Sequence, residues 1–206
     1  QKNNNFDNSL KKFFRSKKIW CAASTHNTEE KLCALAHKKL KKKYRNLLTI
    51  IIPRHTQRTN DIINEIKDLK IEIQTRSLDN KLRKNTEIFL VDTYGETKSF
   101  YKRCNNVFLG GSLIKHGGQN PLEAARYGCS IVSGPNVQNF KEIYEYLRKN
   151  NISISIKKNK ELADQLHSLF KKKINPKKIQ NKIKTIGDQI LKKTYNEIFV
   201  KTLNEL

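Results

Sequence analysis

The sequence predicts an α/β protein, a doubly wound parallel sheet with helices on both faces. Three observations lead there. Short apolar stretches alternate with helical patterns six or seven times along the 206 residues. The stretches are continuous, as from Leu47 to Ile52, which marks strands buried on both faces. Polar or glycine-rich clusters follow them at 24–26, 53–55, 92–96, 110–123 and 134–139. All of these therefore fall on the carboxyl edge of the sheet, where such folds hold ligands.

The elements follow in order. Residues 1–17, polar with three Phe, are expected to be a linker that docks its aromatics. Ile19 to Ala23 reads as a strand closed by Ser24-Thr25-His26. A helix from about Thr28 places Glu29 and Glu30 favourably in its first turn, with Leu32, Leu35, Ala36 and Leu40 as its core face. Leu47 to Ile52 is a strand ended by Pro53-Arg54-His55, and a helix with Ile62, Ile63, Ile66 and Leu69 follows. Strands are expected at 71–75 and 87–91, then the turn Asp92 to Glu96 and a short helix over 97–104. Val107 to Leu109 forms the next strand, before a glycine loop and a helix over 121–127. Strands at 130–133 and 152–156 flank a helix near 140–149, and a lysine-rich helical remainder runs to Leu206.

Composition narrows the partners. Hydrophobic content of 36% with 30% charged residues fits a folded domain rather than a disordered chain. No apolar run approaches the ~20 residues needed to span a bilayer, and no secretory signal is visible. Lys and Arg number 42 against 19 Asp and Glu, a net +23 that favours an anionic partner. Four cysteines show neither C-x-x-C pairing nor histidines at zinc spacing, and weakly suggest a reducing compartment. The chain begins at Gln1 and has no Met, so a longer parent product is expected.

The stretch Gly110 to Gly128 is the centre of the functional reading. Two glycine pairs permit sharp turns and close backbone approach, and Asn120-Pro121-Leu122-Glu123 reads as a helix start. Free N–H groups and a helix N-terminus aimed at one point would hold a phosphate. A tight turn in which Asn120 and Glu123 only cap the helix is the alternative. Arg54 could fork onto a phosphate, His26 and His55 could donate to anionic oxygens, and Glu96 and Glu123 could accept from sugar hydroxyls. Tyr94 could offer a face to a base; Tyr101 is expected in the core. No P-loop, G-x-S-x-G or H-E-x-x-H is present.

WCAASTHNTEE at 20–30, IIPRH at 51–55, VDTYGE at 91–96, FLGGSLIKHGGQNPLEAARYG at 108–128 and SGPNVQNFKEI at 133–143 occur in that order. Together they resemble the C-terminal half of Kdo transferases, which move 3-deoxy-D-manno-octulosonic acid from CMP-Kdo to a lipid A precursor. The resemblance covers residues 1–165 or so. It implies a GT-B glycosyltransferase, with residues 18–172 as a Rossmann-like, CMP-Kdo-binding domain and 173–206 as lysine-rich C-terminal helices. It places Pro53 and Arg54 against the cytidine and Glu123 on the ribose. Ser24, Thr25, Gly111, Ser112 and Asn120 would surround the phosphate, with Gly95 and Glu96 lining the same pocket.

Gln119 stands where the family usually has His, leaving its role open. The family's general base is a glutamate of the N-terminal acceptor domain, so this chain is expected to bind donor without completing transfer. No catalytic residue is therefore expected here, and no metal or other cofactor. The resemblance also implies an anionic membrane partner, at the cytoplasmic face of the bacterial inner membrane. The alternatives are another nucleotide-sugar GT-B enzyme or epimerase and, on charge alone, a basic nucleic-acid-binding module. The latter lacks any RNP-like, helix-turn-helix or zinc pattern.

Overall fold

The computed structural model describes residues 8–78, 82–185 and 187. Seven parallel strands form one sheet: β1 (Lys18–Thr25), β2 (Leu47–Pro53), β3 (Ile73–Thr75), β4 (Ile88–Leu90), β5 (Asn106–Leu109), β6 (Ser130–Ser133) and β7 (Ser153–Ser155). Their spatial order is β3-β4-β2-β1-β5-β6-β7, every pairing parallel. The chain winds outward from β1 in one direction through β2, then returns to β1's other side with β5. The switch point therefore lies between β1 and β5, where open α/β sheets bind ligands.

Alternation along each strand explains the continuous apolar runs. Cys21, Ala23, Leu48, Ile50, Phe89, Val107, Leu109 and Ile131 face one side of the sheet. Trp20, Ala22, Leu47, Ile51, Ile88, Leu90, Phe108 and Val132 face the other. Successive side chains leave a strand on opposite faces, so a sheet covered twice needs apolar residues at every position. The first face is covered by α1 (Asn8–Arg15), α4 (Thr97–Tyr101), α5 (Leu122–Arg126), α6 (Lys141–Lys149) and a helical segment over 176–185. The second is covered by α2 (Glu29–Lys41), α3 (Thr59–Ile66) and α7 (Glu161–Lys171).

Three details differ from the sequence reading. The expected linker contains a helix, α1, because Leu10 and Phe14 one turn apart reach the core, where Phe14 meets Phe100 at 6.3 Å. On α2 the buried stripe is Glu29, Cys33, Ala36 and Leu40, with Ala34 and His37; Leu35 is 44% exposed and Leu32 only partly buried. Short side chains there let the helix lie close to the sheet, and closeness rather than hydrophobicity chose the face. The helix expected over 97–104 closes at Tyr101. Within the lysine-rich tail, Ile179 and Ile183 join the core, while residue 186 and residues 188–206 lie outside the described part, as do residues 1–7. All four cysteines are free and buried, and Tyr101 is buried as expected.

Candidate functional site

The carboxyl edge is built on a distorted turn at the end of β1. Strand register shifts between Ala23 and Thr25, and Ser24 there takes φ 55°. Four residues on, Thr28 takes φ 75°, an outlying value for a β-branched side chain. Such strain persists where surrounding contacts over-determine it. The next residue, Glu29, supplies those contacts.

Glu29 is fully buried, and its carboxylate accepts from four backbone N–H groups. Oε2 receives His26 N at 3.0 Å and Gly111 N at 2.7 Å; Oε1 receives Ser112 N at 3.1 Å and Leu113 N at 3.0 Å. The glycine loop reaches this anion because Gly110 lies flush against β1. A Cβ there would sit 2.4 Å from Ser24 O and 2.6 Å from Thr25 Cα. The amides expected to face a phosphate freely therefore already hold an anion, supplied by the chain itself. Ser112 is similarly engaged: its hydroxyl donates to Leu109 O and accepts from Gly134 N at 2.8 Å, and the residue is fully buried.

Above this clamp the side chains converge. His26 lies against His116 with ring centroids 4.1 Å apart and the planes tilted by 39°, and meets His55 edge-on at 5.9 Å. Gln119 Nε2 lies 3.3 Å from His26 Nε2. With the amide nitrogen as donor, His26 Nε2 is the acceptor, an arrangement that suits a neutral ring. Burial lowers the His26 pKa to about 4, helped by His116, His55, Arg54 and Arg58 around it. Arg54 is exposed at the end of β2, anchored by its N–H to Thr25 O at 2.9 Å. Positive charge at this edge near neutral pH thus rests with arginine rather than with His26. Arg58 lies beside it, held by Glu30 at 3.1 Å and Asn27 at 3.2 Å. Burial raises the pKa of Glu30, and the Arg58 guanidinium opposes that.

The remaining candidates ring this centre. Pro53 is buried beside Arg54. β4 pairs with β2, which brings the turn 92–96 next to the Pro53 end. Glu96 is held by the Arg76 guanidinium at 3.2 Å and by the Thr93 hydroxyl, while Gly95 and Tyr94 are exposed. Asn120 Oδ1 accepts from Leu122 N at 3.0 Å, and Asn120 itself is exposed. Glu123 does not close back onto Asn120; its exposed carboxylate meets Lys98 at 3.7 Å. Ser24 is half-buried and Thr25 fully buried at the base. Arg54, Gly111 and the Asn120 turn thus share one rim, bridged by His26 and Gln119.

Comparison with known proteins adds the relatives. No protein-family model matches the chain. A 3-deoxy-D-manno-octulosonic acid transferase of Haemophilus influenzae is 34% identical over 173 residues, 84% of this chain and 40% of that protein. The Rickettsia prowazekii transferase is 32% identical over 155 residues, 75% of this chain and 33% of its own length. This chain is homologous to the 3-deoxy-D-manno-octulosonic acid transferases. It spans about two-fifths or less of the length of those relatives. Among solved structures, the C-terminal CMP-Kdo binding domain of WaaA from Acinetobacter baumannii superposes with TM-score 0.78 at 23% identity, over 86% of this chain and 92% of that one. The fold is that of the Rossmann-like C-terminal domain of GT-B glycosyltransferases.

Within this transferase fold, a cavity of about 1000 Å³ lies at the opposite, amino edge, lined by Ile152, Ile174, Lys172 and Lys177 among others. It does not touch the rim. Sequence reasoning missed Glu29, Arg58, Arg76 and His116. Glu29 read only as an acid at a helix start, and nothing local signals a partner 82 residues away. Among the described residues no group of three or more His, Cys, Asp or Glu is placed to hold a metal ion.

Proposed function

We propose that this chain is the donor-binding part of a Kdo transferase and holds CMP-Kdo at the β1–β5 switch point. One observation carries the reading: Arg54, the histidine cluster, Gly111 and the Asn120–Glu123 turn meet on one rim, in a chain homologous to these transferases. Arg54 is the exposed cation there, suited to the phosphate or the cytidine; Pro53 beside it forms apolar wall. Glu123, exposed and only loosely paired with Lys98, is available to ribose hydroxyls. Glu96, oriented by Arg76, keeps acceptor capacity toward the same pocket.

Chemically, CMP leaves as Kdo passes to a hydroxyl of a lipid A precursor with inversion. Arg54 and the helix start at Asn120-Pro121 stabilise charge on the departing phosphate. The base that deprotonates the acceptor belongs to an N-terminal acceptor domain outside these 206 residues. No metal or other cofactor is required in this scheme. The +23 charge suits an anionic inner-membrane surface and an anionic lipid acceptor.

Calorimetric titration with CMP, and separately with a single-stranded RNA oligomer, tests the reading. CMP should bind and Arg54→Ala should weaken it about tenfold or more. RNA binding, if present, should collapse steeply as salt rises. Absence of CMP binding would overturn the proposal, and RNA binding in its place would favour the nucleic-acid reading.

A further inference from the structure

We propose that Glu29 is the positioning residue of the donor site, a built-in anion that sets the phosphate-facing loops before any donor arrives. The inference rests on the donor-site reading above and extends it to how the phosphate is met. Two segments that are to close on one phosphate, the Ser24–Thr28 turn and the Gly110–Leu113 loop, share no backbone hydrogen bond; the nearest is Gly110 N to Ala23 O at 2.9 Å, one residue before the turn. The Glu29 carboxylate joins them, taking one N–H from the first and three from the second. It does so fully buried, directly after Thr28 and five residues after Ser24, both in left-handed conformations. A buried carboxylate is tolerable only with such saturation, and once saturated it fixes both segments.

The consequence concerns recognition. The N–H groups of Gly111, Ser112 and Leu113 are already engaged, so they are not the phosphate's donors. The phosphate is read instead by side chains on the rim, above all Arg54 and the amide nitrogen of Asn120, held at the right separation by the clamp. His26 follows from the same device, because its own N–H is one of the four and its ring carries the contact to Gln119.

The experiment compares CMP with cytidine, which lacks the phosphate, on the wild-type chain and on Glu29→Gln and Glu29→Asp. Gln keeps the size but sets an NH2 against two of the four N–H groups; Asp keeps the charge but retracts it. The expected result is a loss of CMP affinity of about tenfold or more with cytidine affinity changed by less than about threefold. Equal loss for both ligands, or no loss for CMP in a folded variant, overturns the proposal. Should both variants fail to fold, amide NMR of the wild-type chain decides. The N–H signals of Gly111, Ser112 and Leu113 should stay slow to exchange and shift little as CMP is added. Large shifts of these signals on CMP but not on cytidine would overturn the proposal. A wild-type chain that binds no CMP at all fails the donor-site reading rather than this one.

Discussion

Glu123 shows how a single side chain carries two incompatible readings until its contacts are known. As the closing residue of a capping box it would turn back to the backbone N–H of Asn120 and contribute about 1 kcal/mol. It does not; its carboxylate is exposed, with Lys98 at 3.7 Å as its ion-pair partner. An exposed pair of that kind contributes little to stability. Glu123→Gln should therefore leave the melting temperature within about 2 °C and weaken CMP binding several-fold, because a ribose hydroxyl loses a charged acceptor. Thermal melts and CMP titration on the same samples check it; a large drop in melting temperature with unchanged CMP affinity would restore the capping reading. Ser112 is the converse, a residue named for the ligand whose hydroxyl and N–H both serve the fold.

At the scale of elements, α2 is tied to the sheet by more than apolar contact. His37, buried on α2, shares a hydrogen bond of 2.8 Å with Thr49 on β2, and Glu87 just before β4 lies 3.9 Å from its other nitrogen. Lys41, one turn on, holds Glu87 at 2.9 Å. Burial lowers the His37 pKa to about 4; Lys41 acts in the same direction and Glu87 against it. The unfolded chain, at the ordinary 6.5, takes the proton first. The stabilisation is complete above about pH 6.5 and is lost as pH falls toward 4, roughly 2 kcal/mol of it by pH 5. Thermal melts at pH 7 and pH 5 should show this loss, and His37→Gln should flatten the difference. An unaltered pH slope in a folded His37→Gln chain would refute the assignment. His26 shifts in the same direction, so part of the slope remains in that variant.

For the molecule as a whole, charge and topology do different work. Topology gathers the polar clusters on one edge, since every strand runs the same way and β1 and β5 are neighbours. Charge is spread as lysine over helices and tail, a net +23 that would favour anionic surfaces at long range. If the membrane reading is right, sedimentation with vesicles should rise strongly with anionic lipid content and fall at high salt. Binding indifferent to anionic lipid would reject it. No helix among the described residues is long and apolar enough to cross a membrane.

The sequence by itself determined the strands, the two apolar faces and the single edge carrying Ser24, Arg54, Gly95, Gly111 and Asn120. Periodicity and turn chemistry are local, and a buried parallel strand writes its burial into every residue. The buried face of α2 was not legible, because short residues beside the sheet mattered more there than the larger leucines. Nor was the clamp at Glu29. Its partners at Gly111, Ser112 and Leu113 lie 82 to 84 residues away, and only the pairing of β1 with β5 brings them into reach. Tertiary structure alone decided that the glycine loop's amides hold a carboxylate of the chain, because a buried charge must take whatever donors the neighbouring strand presents.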